Sequence, residues 1–383
     1  MASGPLEGVT VVEIGGFIAG PFAGQLLGDY GARVIKIEPP SGDPMRTWGV
    51  LRDGRSVWWP ALARNKESVV LDLRTDEDRE VARSIFSTSD VVLENFAPGR
   101  LASWGLDYAS VAPDNPGLIM AHVSGFGQDG PRAADRGFGS VAEAMGGLRS
   151  LAGYPDRPPV RFGVSLGDEV AGLFAVNGIL AALHERDRTG EGQEVDVALY
   201  EAVFALTESL YADWEIAGVT RTRTGSTLPG VAPSNVYTCS DGTEVLVAAN
   251  GDTLFRRLCD AMETPELVDD ARFASHQARG ENAAELDKLI QTWTGHHDAS
   301  TVEALLDRHG VPRGRVYLPS DIAEDAQYAA REMIVRFPAP GYADPMPMPN
   351  VVPKLSRTPG SIRHAGPELG EHTQAVKREF AGI

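Results

Sequence analysis

The run Gly163-Val164-Ser165-Leu166-Gly167-Asp168 places two candidate nucleophiles three residues apart. Ser165 sits in a G-x-S-x-G pattern, in which a sharp strand-to-helix turn presents a serine hydroxyl to a histidine and an acid. Asp168 offers a carboxylate. Such a group either attacks an acyl carbon to give a covalent intermediate or caps a helix by accepting backbone N–H bonds. An extended run, Pro158 to Phe162, precedes the pair. Val170, Leu173, Phe174, Leu180 and Leu183 follow at three- and four-residue spacing, which predicts a helix beginning at Asp168. A serine hydrolase would also need an acid and then a histidine further along the chain. Asp321 with His364 or His372 are available, and no motif singles them out.

The elements that would position these residues alternate from the start. Val9 to Ile14 reads as a strand, the glycine-rich loop Gly15 to Gly20 opens a helix through Leu27, and Arg33 to Ile37 is a second strand. This βαβ unit predicts a parallel sheet. Glu38 lies where a dinucleotide fold carries its ribose-binding acid, but the loop does not spell G-x-G-x-x-G, so a nicotinamide site is not expected. Further strands are expected at Ser68–Leu73, Val91–Asn95, Leu118–Val123 and Val195–Val197, with helices over Asp76–Phe86 and Tyr200–Ala217. Ligands collect at the carboxyl ends of such strands, which here carry Gly15, Pro39 to Trp48, Asn95-Phe96 and Ser124 to Gly127. Past Thr220 the texture becomes polar, with glycine and proline. A smaller α+β domain is expected over 225–320, with a hairpin around Asp241-Gly242, helices across 252–309 and a strand at Val316–Leu318. The large domain then takes 1–220, and 330–383 is a proline-dense segment with a short terminal helix. No internal repeat is found.

Composition narrows the function classes. The chain has 383 residues, 43% hydrophobic and 23% charged, ordinary for a globular protein of one or two domains. Its formal net charge of −18 argues against nucleic acid or an anionic membrane as partner. No apolar run approaches the roughly 20 residues of a membrane span. Met1 to Pro5 lacks the charged start and apolar core of a secretory signal, so a cytoplasmic location is expected, with Cys239 and Cys259 as reduced thiols. No Cys/His cluster has metal-ligand spacing, and His296-His297 reads as a loop pair.

Several stretches, in this order and spacing, resemble the class III CoA-transferases, the family of formyl-CoA transferase, carnitine CoA-transferase and α-methylacyl-CoA racemase. They are Leu6 to Glu13, Ala19-Gly20-Pro21, Gly31 to Pro44, Glu94 to Gly99, Ser124 to Pro131, Ala144 to Gly147, Gly167-Asp168, Gly178 to Leu183, Arg188 to Gln193, Arg357 to Gly360 and Leu369 to Thr373. The resemblance spans essentially the whole chain. It implies an α/β fold: a Rossmann-like large domain with a parallel sheet, built from both ends of the chain, a smaller α+β domain from the middle, and an interlocked homodimer.

It also implies an activity and its residues. Asp168 would be the nucleophile, attacking an acyl-CoA to give a mixed anhydride, then an aspartyl-CoA thioester, then CoA on a carboxylic acid acceptor. No metal or redox cofactor is implied; CoA enters as a substrate. Phe17, Ile18 and Ala19 would lie along the pantetheine, Leu71, Leu73 and Arg74 near the adenosine, and Asn95 and Phe96 beside the ligand. Arg136 would replace a CoA-binding lysine. Two family arginines are absent, with Pro39 and Ser103 in their places, and Arg100 lies one turn before the second. Trp48 would shape the acyl pocket, and Arg46 could bind a second carboxylate of a dicarboxylic substrate. The formyl enzyme's tetraglycine loop has no counterpart in Thr224 to Gly230, so formate and oxalate are not the expected pair.

Two other functions compete. The racemase branch adds a histidine upstream of the aspartate so that two groups exchange the α-proton. In this chain Phe138 occupies that position, and phenylalanine carries no proton. A CoA-ester binding protein without catalysis is the alternative of a different class.

Overall fold

Strands that recur through helical crossovers must lie parallel. The computed structural model, which describes residues 4–383, has that sheet. Its strands are β1 (Thr10–Ile14), β2 (Arg33–Glu38), β3 (Lys66–Val70), β4 (Val91–Glu94), β5 (Ile119–Ser124) and β6 (Glu194–Ala198). They lie in the order β3-β2-β1-β4-β5-β6, every pair parallel. This is the doubly wound Rossmann order. From β1 the chain winds outward through β2 and β3, then returns to β4 on the opposite side of β1.

The helices that bear on the site are α1 (Ala19–Asp29), α2 (Asp76–Phe86), α3 (Gly139–Met145), α4 (Leu166–Thr189), α5 (Leu199–Phe204) and α6 (Leu210–Ala217). Successive strand side chains point to opposite faces. Val11, Val34, Val91, Leu93 and Ala121 pack with α1 and α4. Val12, Ile35, Val92 and Met120 pack with α2 and with Val376 of the C-terminal helix Thr373–Ala381. The strands are therefore apolar on both faces, as a sheet covered on both sides requires.

Three local expectations are corrected. The helix at the nucleophile begins at Leu166 with Ser165 as its N-cap residue, two positions before Asp168. The helix expected over 200–217 is two helices, broken where Glu208 takes a φ of 54°. The strand expected at Val316–Leu318 is instead Arg313–Arg315, because Leu318 already enters a helix whose Asp321 accepts its N–H at 2.6 Å. Among the described residues one helix, α4, has the length and apolar composition of a membrane span, but half of its apolar stretch is buried against protein. Its small residues let it lie close to α1: a Cβ on Gly172 would come within 2.9 Å of the Ala19 carbonyl oxygen.

The chain divides into two compact units. The large one combines 4–149, Arg161–Ala217 and Ala326–Ile383, so both ends of the chain build it. The small one is Gly218–Asp325 together with Ser150–Val160, a segment expected in the large domain. Its antiparallel sheet joins β7 (Ser234–Thr238), β8 (Glu244–Ala248) and β9 (Arg313–Arg315), with β8 in the middle. Gly242 turns the β7–β8 hairpin at a φ of 82°. Tyr237, Val245 and Val247 of this sheet close its core with Phe255, Leu258, Ile290, Val302 and Leu306.

Candidate active site

In a sheet of this order, the connections after β1 and β4 leave toward opposite faces, and the crevice between them receives ligands. A cavity of about 880 Å³ occupies that place within the large unit. It is lined by 14–19 after β1, 37–41 and 43–44 at and after the end of β2, 71–74, 95–98 after β4, Trp104, 123–125 after β5, 134–138 before α3, Leu199 of α5, and the single residue Asp168 of α4.

The loop after β1 is held from two sides. Asn95 Oδ1 accepts the Gly16 N–H at 3.0 Å, and its Nδ2 donates to the Gly16 carbonyl at 2.7 Å. Gly15 has a φ of 133°, and a Cβ there would fall 1.9 Å from Asn95 Oδ1, so only glycine fits. On the other side Asp43 Oδ1 accepts the Phe17 N–H at 3.3 Å. Phe17 itself lies in the left-handed region at φ 64°, a strained conformation for a bulky residue. The helix α1 then opens with no side-chain cap, and its first residue, Ala19, lines the cavity.

Beneath this loop lies a buried ion network that the sequence reading missed. Lys36 Nζ contacts Glu13 Oε1 and Asp43 Oδ2, both at 2.8 Å. Lys66 Nζ contacts Glu13 Oε2 at 2.7 Å. Glu38 binds the Arg46 guanidinium through both oxygens at 2.7 Å and accepts from Ser68 Oγ at 2.6 Å. Burial opposes the charged form of Glu38, yet Arg46 and Lys36 hold its carboxyl below the ordinary range. The signal available was a charged residue inside each of two apolar strands, Glu13 and Lys36; Lys66 lies at the start of its strand, before the apolar run. Glu38, at the dinucleotide-acid position, is thus committed to Arg46, Ser68 and the Asp43 N–H.

Asp168 stands at the third position of α4, so it is not the helix cap. Its carboxylate instead accepts the backbone N–H of Gly139, the first residue of α3. A Cβ on Gly139 would lie 2.3 Å from Asp168 Oδ2. Burial and then the negative charge of Glu143 push the Asp168 carboxyl up to about 6, against the pull of Arg161 and the Gly139 amide. At pH 7 roughly nine molecules in ten still carry the carboxylate.

Of the residues expected at the site, Phe17, Ile18, Ala19, Leu71, Leu73, Arg74, Asn95, Phe96, Arg136, Phe138 and Asp168 line the cavity. Arg100, Trp48 and Arg46 do not. Arg100 sits behind the wall, 5.5 Å over the ring of Trp104, which does line it. Trp48 meets Phe17 edge-on at 5.3 Å. Arg46 is corrected as a substrate ligand: it is bound to Glu38 and the Pro367 carbonyl and stacks on Trp59 at 3.8 Å. Arg74, at the rim, is paired with Asp72 at 2.7 Å. Arg136 carries no such partner among the described residues, and so remains available to an anion. The hydrolase partners do not assemble on Ser165. His372 Nδ1 accepts the Ser68 N–H at 3.2 Å, His364 Nδ1 lies 3.0 Å from the Ala365 carbonyl, and Asp321 caps its own helix in the small unit.

A Rossmann-order sheet with a carboxylate on the wall of its switch-point cavity defines an α/β protein with a ligand-binding crevice. The chain belongs to the CoA-transferase family III, whose family model matches residues 6–373, and it is a CoA-transferase. It is 50% identical over 381 residues to the succinyl-CoA–D-citramalate CoA-transferase of Chloroflexus aurantiacus, across 99% of this chain and 94% of that protein. It is 35% identical to the succinate–glutarate CoA-transferase of Agrobacterium fabrum, across 99% and 96%. A CAIB/BAIF family protein from Brucella suis superposes with a TM-score of 0.88 at 35% identity, across 99% of this chain and all of that one.

Proposed function

We propose that the protein moves CoA between dicarboxylic acids through a covalent intermediate on Asp168. The observation that carries the mechanism is the Asp168 carboxylate, set on the cavity wall against the Gly139 amide. Its Oδ attacks the thioester carbon; the C–S bond breaks and the electron pair leaves on CoA sulfur. The thiolate then attacks Asp168 Cγ, forming an aspartyl-CoA thioester and releasing the donor acid as a carboxylate. The acceptor carboxylate reverses both steps. Each bond change is a displacement at a carboxyl carbon, so the scheme draws on no metal or redox group. The Gly139 N–H and the first-turn amides of α1 supply donors for the oxyanions that form.

Two similar proteins are named for transfer between dicarboxylic acids, which supports succinyl-CoA as donor and a dicarboxylic acid as acceptor. With Arg46 engaged by Glu38, the unpaired Arg136 and the amide donors are the groups left to meet the anionic parts of the ligands. Phe138, without a proton to exchange, speaks against racemisation. Large apolar side chains of the large unit lie exposed, among them Leu173, Phe174, Tyr211, Trp214 and Ile216, the last 84% exposed. Their exposure in the single chain fits the reading of an interlocked homodimer in which a second copy covers them. The reading places the enzyme in the cytoplasm, where acyl-CoA thioesters and carboxylic acids meet.

Mass spectrometry after mixing with succinyl-CoA tests this directly. CoA is expected on the peptide containing Asp168, discharged by a dicarboxylic acceptor and absent from Asp168→Asn. Turnover retained in Asp168→Asn, or labelling elsewhere, overturns the assignment. An acyl-CoA that binds and leaves unchanged returns the non-catalytic binding protein.

A further inference from the structure

The cavity wall presents one carboxylate that reacts, and one helical turn away lies another that the chemistry does not use. Glu143 is on α3, four residues after Gly139, and is fully buried. Its Oε2 accepts from Arg149 Nε at 2.8 Å. Its Oε1 faces the N–H of Gly167, the residue before the nucleophile, at 3.5 Å. A Cβ on Gly167 would meet the Gly139 carbonyl oxygen at 2.9 Å and Glu143 Cγ at 3.3 Å, so α3 and α4 touch here through backbone. Asp168 is therefore gripped by the first amide of α3 while a buried acid of the same helix abuts its own chain.

We propose that Glu143 is a positioning residue for Asp168, fixing the start of α4 against α3 and setting the nucleophile beside a like charge that acylation removes. The proposal rests on the covalent reading above. Asp168 faces Glu143 from α3, Arg161 from the run before α4 and Glu169 from α4 itself. Arg136 shares the cavity wall. In the free enzyme the Asp168 carboxylate is repelled by Glu143. Once Oδ bonds the acyl carbon, or Cγ bonds sulfur, Asp168 is neutral and the repulsion ends. Glu143 thereby favours the anhydride and thioester over the free carboxylate. Glutamine in its place removes the charge and keeps one acceptor oxygen, which can serve Arg149 Nε or the Gly167 N–H but not both.

Carbodiimide coupling of Asp168 to an amine, followed by mass spectrometry over a pH series, reads the protonation of the carboxyl without catalysis. The wild-type midpoint is expected near 6. Glu143→Gln is expected to lower it by about one unit and to reduce, several-fold, the aspartyl-CoA that accumulates with succinyl-CoA. Midpoints that coincide in variant and wild type overturn the proposal. So does a wild-type midpoint at the ordinary 3.8, a result that needs no variant to fold. A wild type with the raised midpoint that never forms the adduct would remove the covalent reading instead, leaving the Glu143–Asp168 coupling in place.

Discussion

Asn95 holds Gly16 by both ends of one peptide-like amide. Its Oδ1 accepts the Gly16 N–H at 3.0 Å and its Nδ2 donates to the Gly16 carbonyl at 2.7 Å. The end of β4 thus fixes the loop after β1, and the two strands that part to open the cavity are tied across its floor.

Asn95→Ala removes both bonds. Buried polar partners left unmatched cost about 1–3 kcal/mol each. The expected outcome is a rise in KM for the acyl-CoA of at least roughly tenfold, with a smaller change in kcat. Asn95→Asp, which keeps the acceptor and loses the donor, should fall between. Steady-state kinetics with unchanged KM in Asn95→Ala would show that the loop needs no tie.

Gly139→Ala should disable the nucleophile without touching it chemically. The added Cβ would fall 2.3 Å from Asp168 Oδ2, so the carboxylate must leave the Gly139 amide. Misplacement of a reacting group by about 1 Å costs on the order of 100-fold. The loss is expected in kcat, with acyl-CoA binding by calorimetry little altered. Wild-type kcat in this variant would refute the close approach.

Asp168 should stabilise the fold less at neutral pH than a neutral residue does. Burial and Glu143 raise its carboxyl from 3.8 to about 6. A raised carboxyl contributes stability that is fully present below 3.8 and is lost as pH climbs through about 6. Asp168→Asn should therefore be more stable than wild type at pH 8, by about 1–2 kcal/mol after allowing for partial solvent exposure. The gap in Tm should close by pH 4. Scanning calorimetry at both values checks this, and a gap independent of pH would contradict the shift.

Lys36→Met should unfold the floor of the site. It leaves Glu13 and Asp43 facing each other in a buried space with only Lys66 in partial compensation. Breaking one partner of a buried ion pair costs about 3–5 kcal/mol. Urea denaturation should report a loss of that order, and a change below about 1 kcal/mol would mean that water reaches the network.

Much of this was legible in the residue order. The strands announced themselves by apolar runs, their ends by glycine and proline, and Asp168 by its place at the head of a helix. What escaped depends on which distant groups meet. Arg46 reads as a free cation beside a pocket; only the fold brings both its arms to Glu38. The charges in β1, β2 and β3 look like ordinary strand residues until their side chains converge on one buried point. Glu143 carries no motif, and its bearing on Asp168 arises from the crossing of α3 and α4. The break at Glu208 interrupts a sequence that is helical by pattern on both sides, where a φ of 54° overrides local preference.

The buried network also has a consequence for how such a chain can diverge. Glu13, Glu38 and Asp43 face Lys36, Lys66 and Arg46, three acids matched by three bases. A lone exchange of sign at any one of these sites strands a charge in the interior, and because Glu13 serves both Lys36 and Lys66, exchanging Glu13 with Lys36 alone would set one lysine against another and glutamate against Asp43. These six positions should therefore change as a linked set.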